Sequence, residues 1–438
     1  MNEIKQINIG LFGVGVVGQG VIEQLAQNAV IISKRTGLNL KITKAVTKTP
    51  LKERAVSLEG ISLSDDPEHI LNDPEIDIVL ELIGGIEEAE AIVIRALKDG
   101  KSVVSANKAL IAENADNIFK TAYESRGLFG FEAAVAGGIP IIRDIKEGFS
   151  GDDITEISGI INGTANYILT QMTKAGKDFG TALKEAQEAG FAEADPTFDI
   201  EGVDTAHKLL LLMKIAFNGL FEFKELYTEG ITKIESIDIA VAEEFGFVIK
   251  LLGKAVNVDG KFQGRVHPCL VSKESLLSGV NGAFNAVALK GNFVGETLTY
   301  GAGAGSHPTA SAVVSDVVAI ARQLKAGTGN LVPPLSAEWG SLKMQKIQPI
   351  SETVTAYYLR FTVTDEVGVL AKITKILGDH GISIEAMQQK DRSKSKSEAV
   401  PVVIFTHQAK EENVAQALSE IDALTFIKEP TKLIRIDL

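Results

Sequence analysis

Apolar side chains alternate at Ile7, Ile9 and Leu11 and then, past a glycine cluster, recur at helical spacing over residues 17–29, so a short strand followed by a helix is expected there. Apolar strand patterns return at residues 40–46, 76–83 and 101–105, with helical stretches between them. That rhythm predicts a parallel sheet with crossover helices. It stops near Gly127: residues 154–161 read as a strand, Asn162-Gly163-Thr164 as a turn with capping chemistry, and Ala165 onward as a helix. Strands at 250–256, 262–271 and 286–293 suggest an α+β region with a mostly antiparallel sheet, whose free faces or edges suit the pairing of subunits. A helix opened by Pro308 runs to Leu324, and residues 327–353, with three prolines and no long periodic pattern, read as a linker. Beyond it come a strand, a turn at 365–368, a helix ending near His380-Gly381 and a second strand, then strand, helix and strand at 402–407, 411–421 and 433–436.

A chain of 438 residues has room for two or three domains, each with its own core. Lys and Arg number 44 against 57 Asp and Glu, and the resulting net charge of -13 argues against nonspecific binding to nucleic acid or to an acidic membrane. The single cysteine, Cys269, permits neither an internal disulfide nor a cysteine zinc site and fits a reducing compartment. The first apolar run is interrupted by glycines from Gly10 on, and no stretch of 18 uncharged apolar residues occurs, so neither a signal segment nor a membrane span is expected. The simplest location is the cytoplasm.

Between the first strand and helix lies Gly13-x-Gly15-x-x-Gly18. Glycines there permit a tight turn and close backbone approach, and the following helix N-terminus attracts a pyrophosphate, so a dinucleotide site is expected. Past the second strand the chain reads Val46, Thr47, Lys48, Thr49, without the carboxylate that would meet the ribose diol of NAD. Lys48 and Arg54 suit a 2′-phosphate instead, which favours NADP, with NAD as the alternative. The strand at 101–105 ends in Ser105, Asn107 and Lys108, at the carboxyl edge where ligands of parallel sheets bind.

The stretch FDIEGVDTAHKLLLLM places three carboxylates and Lys208 before a run of five apolar residues. Asp204 and Lys208 are spaced as an i,i+4 ion pair on a helix beginning near Asp204. Leu212 and Ile215 share the face of Lys208, whereas Lys214 points elsewhere, and a helix apolar nearly all round is normally buried. A structural ion pair and a functional lysine both fit this pattern. The six histidines show no metal-ligand spacing, which disfavours a zinc mechanism.

GIINGTANYIL, GFAEADPTFDIEGVDTAHKL and YGAGAGSHPTASAVVSDVV, with GLFGVGVVGQG and SANK before them, resemble the signatures of the homoserine dehydrogenase family from about residue 5 to residue 330. Two departures stand out: Ala165 occupies a position where threonine is commoner, and the second strand lacks the family's usual Arg-Asp pair. The resemblance implies a Rossmann-type dinucleotide-binding domain over 1–135 completed by a helix at 305–325, an α+β catalytic and dimerisation domain over 136–304, and a linker over 326–353. It implies interconversion of L-homoserine and L-aspartate 4-semialdehyde on the way to threonine, methionine and isoleucine. The alternatives are a dehydrogenase for another small amino alcohol and a cofactor-binding sensor without turnover.

By the same resemblance Lys208 is the proton-transfer lysine and Lys108 a second lysine near cofactor and substrate oxygen. Glu193 and Asp204 face the substrate amino group, and Asp199 is a further candidate. Asp195 is as readily structural, and His207, about 100° round the helix from Lys208, is read as structural. Phe12, Gly13, Gly15, Val16, Val17, Gly18, Lys48, Ser105, Lys108 and Gly305 are the expected cofactor contacts. EAAVAGGIP resembles the family's loop for a monovalent cation such as sodium, in which Glu132 and the carbonyls of Val135, Gly137 and Ile139 are ligands. The strand, Asp-x-x-Gly-Val-Leu turn and helix that open residues 354–438 resemble a ferredoxin-like ACT domain, a module that commonly binds amino acids. L-threonine is the expected effector, near Asp365, Gly368 and Val369, and a purely structural dimerisation module is the alternative. A homodimer or homotetramer is the expected assembly.

Overall fold

A computed structural model of the chain describes residues 5–329, 331–389 and 399–437. In chain order it runs β1 (Gln6–Phe12), α1 (Val16–Gln27), α2 (Ala29–Thr36), β2 (Asn39–Val46), β3 (Ser62–Ser64), α3 (Glu68–Leu71), β4 (Ile78–Glu81), α4 (Glu87–Lys98), β5 (Ser102–Ser105), α5 (Lys108–Ser125), β6 (Phe129–Gly130), α6 (Ile141–Arg143), β7 (Ile154–Ile160) and α7 (Gly163–Ala175). It continues through α8 (Phe179–Glu188), α9 (Thr197–Ile200), α10 (Val203–Ala216), β8 (Tyr227–Thr228), α11 (Ser236–Glu244), β9 (Phe247–Val258), β10 (Lys261–Ser272), β11 (Phe284–Gly291), β12 (Gly295–Ala302) and α12 (Ser306–Ala326). The C-terminal part comprises β13 (Val354–Thr364), α13 (Val369–Asp379), β14 (Ile384–Gln389), β15 (Ala399–Thr406), β16 (Ala409–Lys410), α14 (Glu411–Asp422) and β17 (Ile427–Asp437). Two compact units result: Met1–Gly163 with His207–Phe223 and Phe284–Gln345, and Thr164–Ala206 with Lys224–Ala283 and Lys346–Leu438.

The first unit contains a parallel sheet in the order β3-β2-β1-β4-β5-β6. Ile7, Ile9 and Leu11 are fully buried on the core side of β1, which is why their alternation was legible. The order reverses between β1 and β4, and the crevice at such a switch point is where ligands bind to open parallel sheets. α12 returns to pack on α1: a Cβ at Gly20 would lie 2.7 Å from the Ser306 hydroxyl and 3.1 Å from Ala310, so the two helices approach backbone to side chain. An antiparallel trio, β7-β11-β12, belongs to the same unit. The helix expected over 17–29 breaks at Asn28, and β12 is a strand that periodicity did not announce.

The second unit has strands in the order β9-β10-β17-β13-β15-β14. β9 and β10 pair over twelve residues each and are joined by Asp259 and Gly260, with φ of 51° and 78°. Positive φ at both turn positions gives the tight hairpin whose twist matches its strands, and Asp-Gly is the pair best suited to it. β13-α13-β14-β15-α14-β17 forms a βαββαβ unit whose four strands are ordered last-first-third-second, the ferredoxin-like arrangement. Tyr357, Leu359, Phe361 and Val363 point into the core with Ile373, Ile376, Val414 and Ile421 of the two helices. The alternate residues Tyr358 and Arg360 point to the opposite face, where both meet Asp238 of α11.

Asp238 is 1% exposed and Arg360 4%. Its carboxylate accepts from Arg360 Nε at 2.7 Å, from the Tyr358 hydroxyl at 2.8 Å and from the Glu235 amide at 3.0 Å, closing the first turn of α11. Arg360 also pairs with Glu235 at 2.8 Å, so Asp238→Ala leaves it one carboxylate and leaves the buried Tyr358 hydroxyl without its acceptor, and is expected to lower the unfolding free energy by roughly 1–3 kcal/mol. Lys375→Ala, which breaks the exposed i,i+4 contact with Asp379, is expected to leave the urea midpoint essentially unchanged. Urea melts followed by circular dichroism check both.

Candidate functional site

The glycine turn is built by steric necessity. Gly13 has φ 96°, its amide donates to the Val46 carbonyl at 2.9 Å, and a Cβ there would fall 2.5 Å from the Leu82 carbonyl oxygen. The chain therefore threads between the ends of β2 and β4 only because no side chain is present. A Cβ at Gly18 would lie 2.1 Å from the Gly13 carbonyl oxygen, so the first turn of α1 packs directly on the loop. Gly15 is different, with nothing within 4 Å of its Cβ position. It caps α1 without a side-chain hydrogen bond, and no acid occupies the first helical turn. The helix amides are thus left for an anion approaching from the open side.

A cavity of about 440 Å³ opens here, lined among others by Gly13, Gly15, Thr47, Lys48, Arg54 and Gly84. Arg54 is anchored at its edge, donating to the carbonyls of Val14 at 3.2 Å and Thr49 at 2.9 Å. Lys48 pairs with Glu88 at 2.8 Å in an exposed contact. Phe12 is buried at the end of β1, and Val16 projects into solvent from the start of α1. Gly305, with φ 117°, precedes α12, and the neighbouring Ser306 hydroxyl donates to the Val16 carbonyl at 2.8 Å. Of the expected cofactor residues, Gly13, Gly15, Val16 and Lys48 line this cavity, while Phe12, Val17, Gly18 and Gly305 are not among its lining residues.

The next strand ends add a group that motif reading missed. Glu81 terminates β4, buried, and accepts from the Ser105 hydroxyl at 2.6 Å and the Ile83 amide at 3.0 Å. Ser105 in turn accepts from the Asn107 amide, while the Asn107 side chain donates to the Gly85 carbonyl and caps α5 by accepting from Leu110. Lys108, half-buried, is the first residue of the helix so capped. Burial outweighs the hydrogen bonds from Ser105 and Ile83 and pushes the Glu81 carboxyl up to about 7. An acid closing an apolar strand, IVLE, was the available signal.

α10 is buried from Asp204 onward. Asp204 is 1% exposed and Lys208 8%, one helical turn apart. Lys208 Nζ donates to the Ile161 carbonyl at 2.7 Å, just past β7. Lys214, on a different face of the helix from Lys208, is 4% exposed and pairs with Asp116 of α5 at 2.6 Å. His207 packs edge-on against Phe223, with ring centroids 4.5 Å apart. In the second unit, Asp199 accepts from the Thr164 hydroxyl at 3.0 Å, and that hydroxyl also lies 2.6 Å from the Phe191 carbonyl. Thr164 of the Asn-Gly-Thr turn therefore meets the loop bearing Glu193. The Glu193 side chain is exposed, and the loop is held by Gln187, which donates to the Glu193 and Ala194 carbonyls. Asp195 accepts from the Thr197 amide and hydroxyl, the structural half of its two readings.

Glu132 is buried, and its two carboxylate oxygens accept from the amides of Ile142 at 2.8 Å and Arg143 at 2.9 Å. Burial, with Asp316 adding like charge, raises its carboxyl to about 8. Its own amide donates to Asp316, which also receives Arg143 at 3.0 Å. The backbone then curls through Ala136 and Gly137, with φ of 56° and 53°, and the Ile139 carbonyl accepts from Ile141. Among the described residues no group of three or more His, Cys, Asp or Glu side chains is placed to hold a metal ion. A cation in this loop would depend on the carbonyls of Val135, Gly137 and Ile139 beside Glu132. Among the described residues no helix is long and apolar enough to cross a membrane. At the other end of the chain, Asp365 and Gly368 lie exposed in the turn that leads into α13, where Val369 is the first, buried residue.

Sequence profiles described as homoserine dehydrogenase NAD-binding domain, homoserine dehydrogenase and ACT domain match residues 13–131, 140–318 and 357–425. The homoserine dehydrogenase of Pseudomonas aeruginosa is 42% identical over 434 residues, 99% of each chain. The chain belongs to the homoserine dehydrogenase family. Bacillus subtilis has a member 37% identical over 435 residues. A crystal structure of the Thiobacillus denitrificans member aligns with a TM-score of 0.93 at 45% identity, covering 99% of this chain and 98% of that one. A hyperthermophilic archaeal member, solved in complex with NADPH, aligns with a TM-score of 0.62 at 28% identity, covering 73% of this chain. The expected family, the Rossmann-type and ACT folds and the oxidoreductase class are thereby established.

Glu81 generates a test of the crevice. Its ordinary value is near 4.5, and in the fold it is raised to about 7. Folding then favours the protonated acid, a contribution fully present below about pH 4.5 and lost as pH rises through 7. Glu81→Gln removes that dependence, so its stability relative to the parent is expected to improve by roughly 1–3 kcal/mol between pH 5 and pH 8. Thermal melts of both proteins across that range check it.

Proposed function

We propose that this chain interconverts L-homoserine and L-aspartate 4-semialdehyde with NADP, using Lys208 to move the proton at the reacting oxygen. The observation that carries the reading is the buried carboxylate and lysine one turn apart on α10. Four residues rise about 6 Å along a helix, a span comparable to the three carbons that separate ammonium from hydroxyl in homoserine. Asp204 then binds the ammonium, with Glu193 and Asp199 assisting, and Lys208 faces the oxygen. Lys208 Nζ donates to the Ile161 carbonyl, which fixes where the amine lies. In reduction Lys208 donates a proton to the carbonyl oxygen, and in oxidation its neutral amine removes the hydroxyl proton. Lys108, at the start of α5, adds a second positive group for that oxygen. The nicotinamide cofactor, when bound, exchanges the hydride.

Lys48 and Arg54 favour NADP, since they border the crevice where no acid follows β2 and a relative has been solved with NADPH. The 132–139 loop is read as the seat of a monovalent cation, with Glu132 and the carbonyls of Val135, Gly137 and Ile139 as ligands. The ACT part is read as an L-threonine sensor with the 365–369 turn as a contact. A threonine that binds better to one state of the enzyme shifts it toward that state, and the coupling to substrate is reciprocal.

Lys208→Ala is expected to reduce kcat for homoserine oxidation by about 10²–10⁴-fold while leaving the Kd for NADPH within about twofold. Near-normal turnover would remove the assigned role, and inertness of the parent toward homoserine with both NADP and NAD would remove the reaction. Lys48→Glu is expected to raise the KM for NADPH about tenfold, equivalent to about 1.4 kcal/mol, and to spare NADH. Steady-state kinetics with each cofactor decide whether Lys48 reads the phosphate.

A further inference from the structure

The loop after β2 and the first turn of α4 meet at the glycine-turn crevice, and the charged residues lining it are Lys48, Lys52, Glu53 and Arg54 of the loop and Glu88 of the helix. The loop is pinned from several sides. The Thr47 amide donates to the Ser64 carbonyl and the Ala55 amide to the Gln19 side chain, each at 2.9 Å. Arg54 Nε donates to the Val14 carbonyl at 3.2 Å, one terminal nitrogen donates to the Lys52 carbonyl, and the other to the Thr49 carbonyl at 2.9 Å and hydroxyl at 3.1 Å. All three guanidinium nitrogens are engaged with the protein, so Arg54 works first as a staple between the loop and the glycine turn.

Lys48 is the movable member of the set. Its side chain is 82% exposed, and its ammonium meets the Glu88 carboxylate, itself 49% exposed, at 2.8 Å. A pair this exposed is weak, so a ligand that suits either partner better can part them. Of the three acids in the first turn of α4, Glu90 is committed to the side-chain amides of Asn114 and Asn117, Glu87 lies outside the crevice lining, and Glu88 lies within it. Its place is what matters. Lys48 stands two residues past the end of β2, where an acid of the loop would otherwise meet the ribose diol of NAD. The ion pair brings a carboxylate to that place from a different element of the fold.

We propose that Glu88 sets the choice of dinucleotide: its carboxylate accepts from the adenosine ribose diol of NAD, and against NADP it opposes the 2′-phosphate and competes with it for Lys48. The proposal rests on reading Lys48 as the group that meets that phosphate. A diol donates, and a carboxylate is the stronger kind of acceptor for it. A 2′-phosphate brings negative charge and acceptor oxygens, so beside Glu88 it meets a like charge, and it gains Lys48 only by drawing it away from Glu88. One exposed acid therefore acts with opposite sign on the two cofactors, whereas Arg54, committed to the loop, acts on both alike. The crevice is built to take either dinucleotide rather than to exclude NAD.

The test is fluorescence titration of the full-length protein with NADPH and with NADH, which reads the Kd of each without turnover. The parent is expected to bind both. Glu88→Ala is expected to lower the Kd for NADPH at least about threefold and to raise that for NADH at least about threefold. Glu88→Gln is expected to match the gain for NADPH and to lose less for NADH, because the amide keeps an acceptor and drops the charge. Glu88 is exposed and alanine and glutamine both suit a helix, so the fold is retained. Glu53→Gln, which changes the other acid of the lining, is expected to leave the ratio of the two Kd values within about twofold. An unchanged ratio in both Glu88 variants overturns the proposal, and if Lys48→Met still weakens NADPH, the phosphate reading stands without it. An unchanged Kd for NADPH in Lys48→Met overturns the phosphate reading and the proposal together. A ratio that moves with Glu53→Gln and not with Glu88→Gln overturns the assignment to Glu88.

Discussion

Three charged side chains on one buried helix set the terms for the catalytic region. Asp204, Lys208 and Lys214 of α10 lie in surroundings where an unmatched charge costs several kcal/mol. Lys214 meets that cost through Asp116 on α5, the helix that Lys108 opens. Lys208 meets it through a backbone carbonyl beyond β7. These two contacts lie at different heights along α10 and point in different directions, so together they fix its rotation as well as its position. Rotation is what directs Asp204 and Lys208. An ion pair that looks structural and a lysine that looks chemical thus depend on each other, because the first orients the helix that presents the second.

The nucleotide side is built on the opposite plan, mainly from backbone. Gly13 and Gly18 are required by contacts of 2.5 and 2.1 Å to carbonyl oxygens, while Gly15 faces open space. Two glycines make the turn possible and the third leaves the helix terminus approachable. The absence of acid from the first turn of α1 preserves the positive end of its dipole for phosphate. Charge enters only at the margins, with Lys48 and Arg54 beyond β2. Glu81 sits deeper, tied to Ser105 and through it to Asn107. That chain of hydrogen bonds connects the ends of β4 and β5 to the capping of α5, so the position of Lys108 follows from a buried acid on the strand next to the glycine loop.

Much of this was legible where local physics is strong. β1 alternates because one face of it meets α1 and α12 in a hydrophobic core, and the glycine turn follows from sterics that no other residue satisfies. Motif resemblance located Asp199, Asp204 and Lys208 together with the family. What escaped depended on partners distant in sequence. Glu81 acts through Ser105, and Lys214, placed by its spacing on a different face from Lys208, finds Asp116 98 residues earlier. β13 shows no alternation because both its faces are covered, one by α13 and α14 and the other by Asp238 of α11. A strand buried on both sides loses its alternation, and Arg360 within it is 4% exposed in the fold.

The insertion of β17 between β10 and β13 has a consequence for how regulation can be studied. A ferredoxin-like module at the end of a chain invites removal, as though it were a bead on a linker. Here its last strand supplies Arg435 to Glu229, and its first supplies Arg360 to Asp238. Excising residues 354–438 would strip β10 of a hydrogen-bonded neighbour and leave two carboxylates of the remaining fold without their guanidinium partners. An exposed strand edge and stranded buried charges each favour aggregation or local unfolding. A change of behaviour in a truncated enzyme would therefore report on damage to the second unit as readily as on loss of the ACT domain. Substitutions at the exposed 365–369 turn leave β17 in place, and such changes test the proposed sensing without disturbing the fold.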